Sequence, residues 1–324
     1  MVASIAVLAL TASVALQAFP SDPALPASLQ RFRSIRDFVF DRGDALWPGF
    51  GRAPFDALFI SPSNERLYCR ATLPDGFIVA GRDPITGCSS GIRPRGSLPA
   101  GLLAAMPVFG PPSTIVMGTP QATGRSDADW TRTILHEHFH QWQDALPGFY
   151  GRVAKLDLSD GDETGMWMLN FPFPYAEAHT VAALGAASRS LANALDARGH
   201  LNFRAKLQAY LIKRRALART VGTRNWRYAE LELWKEGVAR WTEIQLGKRF
   251  PDAAVQASAV KLEQRSRDWL DTPDIAAAGR EFVYPFGASE AMLLEACGPA
   301  WRRAYPSQLA LGPLLERAAR RCRS

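Results

Sequence analysis

Residues 136–140 read His-Glu-His-Phe-His, and this run constrains the chain more than any other feature. Its chemistry requires a helix. Positions i and i+4 share one helix face, so His136 and His140 can point at one metal ion. Glu137 adjoins the first ligand and reaches a metal-bound water without itself binding the metal. A zinc ion brings the pKa of such a water toward neutrality, and the carboxylate then takes its proton. His138 is two positions further on, points away from His136 and reads as a packing or surface residue. Asp144, four after His140, lies on the ligand stripe. It is either a group that orients a ligand histidine or a carboxylate at the helix end. The helix is expected to run through Thr131 to about Ala145, with Asp127 or Asp129 as its cap and Pro147-Gly148 as its stop. The apolar run Ser113–Met117 precedes it and is the expected place for an extended substrate.

A catalytic zinc site takes three protein ligands. Only His179 and His200 remain as histidines, so a carboxylate is the natural third. Leu231 to Gln245 repeats apolar residues at helical spacing, and Glu232, Glu236 and Glu243 fall near one side of that helix. Trp234, Trp241, Gly237 and Ala239 indicate close packing against a neighbour. Glu236 is the best candidate, because Gly237 beside it lets another backbone approach.

The rest of the chain reads as α+β and mostly α. A β-containing part at about 28–126 is followed by a helical part at about 127–324, together one domain over 19–324. A helix is expected over 28–47, with strands at Ala57–Ile60, Gly76–Ala80 and Ser113–Met117. Helices follow at about 175–197, 202–220, 226–247, 253–268, 287–296 and 308–321. Residues 1–18 carry no charged side chain and end in small residues, which reads as a signal peptide cut near Ala18; a buried N-terminal helix is the alternative. The apolar run is short for a membrane span, so no stable insertion is expected once the leader is removed. In an exported protein, periplasmic or secreted, the four cysteines pair most simply as Cys69–Cys88 and Cys297–Cys322. Net charge is +7, yet the arginines are dispersed along the chain, which argues against nucleic-acid binding.

Three segments resemble the gluzincin metallopeptidases, in particular the membrane-alanyl-aminopeptidase and leukotriene-hydrolase family. His136-Glu137-His138-Phe139-His140-Gln141-Trp142 resembles that family's H-E-x-x-H-Q-W. Leu233 to Glu243 resembles its W-x-N-E-G-F-A-x-[YW]-x-E segment, in which the Glu before Gly is the third zinc ligand. Tyr284-Pro285-Phe286-Gly287 resembles its Y-x-K-G segment, whose tyrosine stabilises the oxyanion. The resemblance implies a zincin-like fold, one zinc on His136, His140 and Glu236, Glu137 and Tyr284 as catalytic groups, and a peptide or protein substrate. The chain departs from the family in two ways. Between His140 and Glu236 lie 95 residues, a long helical insertion, and the family's G-x-M-E-N loop for a free amino end is absent. A non-catalytic, metal-stabilised binding protein on the same scaffold is the alternative reading.

Overall fold

The computed structural model describes residues 22–322. The leader, residues 1–18, lies outside them. The chain is mixed α and β, 58% helical and 9% strand, with one six-stranded sheet. Helix α1 (Leu25–Leu46) buries Leu25, Leu29, Phe32, Ile35 and Val39 at helical spacing. Pro26 falls in its first turn, where a proline is tolerated.

The strands are β1 (Ala57–Ile60), β2 (Asn64–Tyr68), β3 (Ile78–Arg82), β4 (Ser89–Pro94), β5 (Leu103–Met106) and β6 (Thr114–Met117). Their order is β3-β4-β2-β1-β6-β5, and β1 pairs with β6 in parallel while the other pairs are antiparallel. Every residue of β1 and β6 is buried, as expected for short apolar runs covered on both faces. This corrects one expectation. The apolar run at 113–117 is an interior strand, held by β1 on one side and β5 on the other, so it has no open edge for a substrate. The edge strands are β3 and β5, and β5 is the one beside β6.

Helix α2 (Asp127–Asp144) carries the histidine pair. The large helices after it are α3 (Ala178–Asp196), α4 (Phe203–Val221), α5 (Thr223–Glu232), α6 (Val238–Gly247), α7 (Ala253–Trp269), α8 (Val283–Ala296) and α9 (Gly312–Arg321). A single apolar cluster runs from α1 and the sheet into these helices. Trp47, fully buried at the end of α1, is its hub. Its ring lies 4.9–5.7 Å from those of Phe139, Trp142, Trp241, Trp301 and Tyr305, and its Nε1 donates to Thr242 Oγ1 at 2.9 Å. The disulfides pair Cys69 with Cys88 and Cys297 with Cys322. Among the described residues no helix is long and apolar enough to cross a membrane.

Candidate metal centre

Helix α2 is fixed to the sheet through its own polar side chains. Ser126, rather than Asp127 or Asp129, is its cap, accepting from the Asp129 N–H at 3.1 Å. The aspartates lie one to three residues inside the first turn, where they face the helix's positive end. Trp130 Nε1 donates to the Gly118 carbonyl at 2.9 Å. Gln141 Nε2 donates to the carbonyls of Asp56 and Ser113, at 2.8 and 2.9 Å, and so ties the helix to the chain entering β1 and β6. His138 is fully buried and stacked on Phe55 at 3.8 Å, and burial pulls it down to about 4. With that face committed to packing, the opposite one presents His136, Glu137 and His140.

Glu236 reaches the pair from a different kind of helix. Between α5 and α6, residues Leu233–Gly237 form a π-helical turn, which inserts a residue and shifts the helix phase. The turn is packed against α8 at a glycine–glycine crossing. A Cβ on Gly237 would lie 2.4 Å from Gly287 Cα, and one on Gly287 would lie 2.7 Å from Gly237 Cα. No side chain fits between the two backbones. The crossing brings Glu236 and Tyr284 to one cavity, Tyr284 being one helical turn before Gly287.

His140 Nε2 is 3.1 Å from His136 Nε2 and 3.1 Å from Glu236 Oε2, and His136 Nε2 is 3.4 Å from the same oxygen. Ligand atoms about 2.0–2.1 Å from a tetrahedral zinc are about 3.3–3.4 Å apart, so these spacings suit one ion. The tautomers suit it too. Gln143 Nε2 donates to the Lys235 carbonyl at 3.1 Å and to Tyr305 Oη at 2.6 Å. That leaves Gln143 Oε1 as the acceptor 2.7 Å from His140 Nδ1. The proton of His140 therefore sits on Nδ1, and its Nε2 lone pair faces the cavity. Glu243 Oε2 stands 3.2 Å from His136 Nδ1, out of line for a hydrogen bond, and its charge favours a proton on that nitrogen. Three buried acceptors thus converge, and among the described residues this is the group that can hold a metal ion.

Burial disfavours charge on each group, yet the contacts outweigh it. His140, His136 and Arg280 hold Glu236 well below the usual carboxylate range. Glu236 and Glu243 hold His136 up at about 9. Arg240, His136 and Arg132 hold Glu243 at about 2.

The remaining candidates divide. Glu243 touches His136 and is also paired with Arg132 and Arg240. Asp144 is bonded to neither histidine. It accepts from Ser113 Oγ and from Lys235 Nζ, and Gln143 takes the place beside His140. Glu232 is fully buried and pairs with Arg280, whose other contact is Glu236 Oε1 at 3.0 Å. Tyr284 lines the cavity, its ring 5.9 Å from that of His136 and its hydroxyl 3.5 Å from Arg280 Nη1; burial and nearby Glu236 raise its pKa. Glu137 accepts from the Ala105 N–H of edge strand β5 at 2.8 Å. Sequence reasoning missed Gln143 and Arg280. Gln143 could have been found as the position three after His140 on the same face; Arg280 left no local signal.

The cavity containing these residues has a volume of about 740 Å³. A more open depression of about 570 Å³ between α3 and α4 lies far from the metal-binding group and carries none of it. No protein-family model, curated protein or solved structure matches this chain.

Proposed function

We propose that this chain is an exported zinc metallopeptidase, a zincin with the gluzincin ligand set His136, His140 and Glu236. The observation that carries the reading is the convergence of three buried acceptors in one cavity with a further carboxylate, Glu137, which has no ion pair and accepts only from the Ala105 N–H. Zinc, when bound there, supplies Lewis acidity next to a substrate carbonyl. Glu137 takes a proton from the attacking water and delivers it to the leaving amine. The Tyr284 hydroxyl donates to the oxygen on which negative charge develops, and Arg280 keeps that hydroxyl and Glu236 in place. Along the open edge of β5, an extended peptide can add as a further strand beside Glu137. The Cys69–Cys88 and Cys297–Cys322 disulfides favour a periplasmic or secreted location.

Glu137→Gln tests the reading. The variant should keep one zinc per chain and its melting temperature, and lose roughly 10²–10⁴-fold in peptide hydrolysis. Chelation of the wild type should abolish hydrolysis, and zinc should restore it. Activity that survives Glu137→Gln would remove the hydrolytic mechanism and leave a metal-stabilised binding protein.

A further inference from the structure

His136, His140, Glu236 and Glu137 line one part of the cavity, and the proposed chemistry does not use the rest. There the wall carries the apolar residues Phe149, Val153, Leu158, Met166, Trp167 and Leu169, interrupted by the polar run Ser159, Asp162, Glu163 and Thr164. All of it comes from the long segment between His140 and Glu236. Two of its members are left largely open to solvent, Met166 at 49% and Leu169 at 54%, and Tyr150 at the rim is 40% exposed. Nine large apolar side chains are exposed among the described residues, and these three border this one cavity. Apolar surface gathered at the mouth of a cleft, rather than scattered, marks a surface that binds something.

The wall is preformed. Arg224 Nη2 bonds Asp160 Oδ1 and Oδ2 at 2.7 Å, and Arg227 Nη1 donates to the Leu156 carbonyl at 2.8 Å. Tyr228 Oη donates to the Met168 carbonyl at 2.8 Å, and Phe171 stacks on the Tyr228 ring at 4.1 Å. Arg224, Arg227 and Tyr228 all belong to α5, which runs directly into the π-helical turn bearing Glu236. One rigid element therefore sets the distance between wall and metal-binding group. The cations reaching the cavity floor are already committed: Arg280 to Glu232 and Glu236, Arg132 and Arg240 to Glu243, Lys235 to Asp144. None of these four is left over to select an acidic side chain; Arg125, the other lining cation, is exposed at the cavity's edge.

We infer that this wall is the specificity surface of the enzyme, and that it takes a bulky apolar side chain, such as Leu, Met or Phe, adjoining the scissile bond. The inference rests on the metallopeptidase reading. The test uses the zinc-loaded full chain and quenched-fluorescent peptides that differ at single positions flanking the cut, with Leu, Met or Phe set against Gly, Asp or Lys. One flanking position should show roughly 10- to 100-fold higher kcat/KM for the apolar residues, mostly through KM. In a Met166→Asp, Leu169→Asp double variant, both positions being exposed, zinc content and Tm should hold while that preference falls to within about 3-fold. Hydrolysis with no apolar preference, or a preference that the double variant retains, overturns this inference alone. Hydrolysis of no peptide by zinc-loaded wild type overturns the metallopeptidase reading, and this inference with it.

Discussion

Gly237→Ala is the sharpest probe of how Glu236 is placed. The added Cβ would stand 2.4 Å from Gly287 Cα, 2.8 Å from its carbonyl carbon and 3.0 Å from the Val283 carbonyl oxygen. All three are backbone atoms, so no rotamer change relieves the contact. Ordinary carbon contacts are about 3.5–4.0 Å, so the π-helical turn and α8 must part by about 1 Å. Alanine gains up to about 1 kcal/mol over glycine in a helix. Overpacking a tight core costs about 1–3 kcal/mol, and an unyielding backbone contact belongs at the upper end or beyond. The steric cost wins, and a net loss of about 2 kcal/mol lowers Tm by about 3 °C in a chain of this size. The larger effect falls on the adjacent ligand. Metal sites tolerate displacements of only about 0.2 Å, so a shift of about 1 Å at Glu236 should weaken zinc binding by well over tenfold. Calorimetry with and without zinc, and metal content after dialysis, read both effects. Gly151→Ala is the control: nothing lies within 4 Å of the added Cβ, and it should be neutral or slightly stabilising. If Gly237→Ala melts like the control and keeps its zinc, the crossing does not position Glu236.

Further outcomes follow from the same geometry. His136→Ala, His140→Ala and Glu236→Ala should each lose zinc on dialysis, whereas Glu232→Ala should retain it; atomic absorption decides, and zinc loss from Glu232→Ala alone would reassign the third ligand. Gln143→Leu frees the His140 tautomer and should weaken zinc affinity about 10–100-fold, as competition with a chelating dye would show. Arg214 lies buried between Glu230, at 2.6 Å, and Glu290, at 2.5 Å, so Arg214→Met strands two carboxylates and should cost about 3–5 kcal/mol in urea unfolding. Burial holds His138 at about 4 in the folded chain against 6.5 for the free side chain, so the unfolded state binds the extra proton between those values. Its stabilising share is present above pH 6.5 and lost as pH falls toward 4, about 3 kcal/mol in all. Unfolding curves of chelated wild type and His138→Phe should therefore diverge across that window, and parallel acid limbs would count against it.

What could be read in the sequence follows from where the physics is local. The histidine pair, Glu137 beside it and the stop at Pro147-Gly148 belong to a single helix, and α2 has them. Gly237 marked a close approach, and the partner is Gly287. The strands that went unread are Asn-Glu-Arg-Leu-Tyr in β2, Ser-Ser-Gly-Ile-Arg-Pro in β4 and Leu-Ala-Ala-Met in β5. Their composition favours no strand; pairing with neighbours makes them so. The run 113–117 reads as the substrate strand because it precedes the histidine helix, although burial on both faces makes it an interior strand, as β6 is. Helix α8 starts at Val283 rather than 287, because Pro285 falls in a first turn, where its missing N–H costs nothing. The π-helical turn has no sequence signature of its own. It is visible only once α8 is packed against it.

Counting lone pairs explains why a cation would suit the centre. Gln143 fixes the His140 proton on Nδ1, and the nearby Glu243 charge favours the His136 proton on Nδ1. Both Nε2 atoms then face Glu236 Oε2 as acceptors, with about 3 Å on every edge. A proton added at His136 Nε2 can satisfy one edge of the triangle, toward Glu236 or toward His140, but not all three groups. At least one buried acceptor stays unmatched, at about 1–3 kcal/mol. A single divalent ion engages all three lone pairs at once and offsets the Glu236 charge. Metal binding should therefore raise Tm, and raise it more in wild type than in Gln143→Leu, where His140 is free to turn its other nitrogen toward the cavity. Equal shifts in the two proteins would mean that the tautomers are not held, and that the convergence of these three groups does not require an ion.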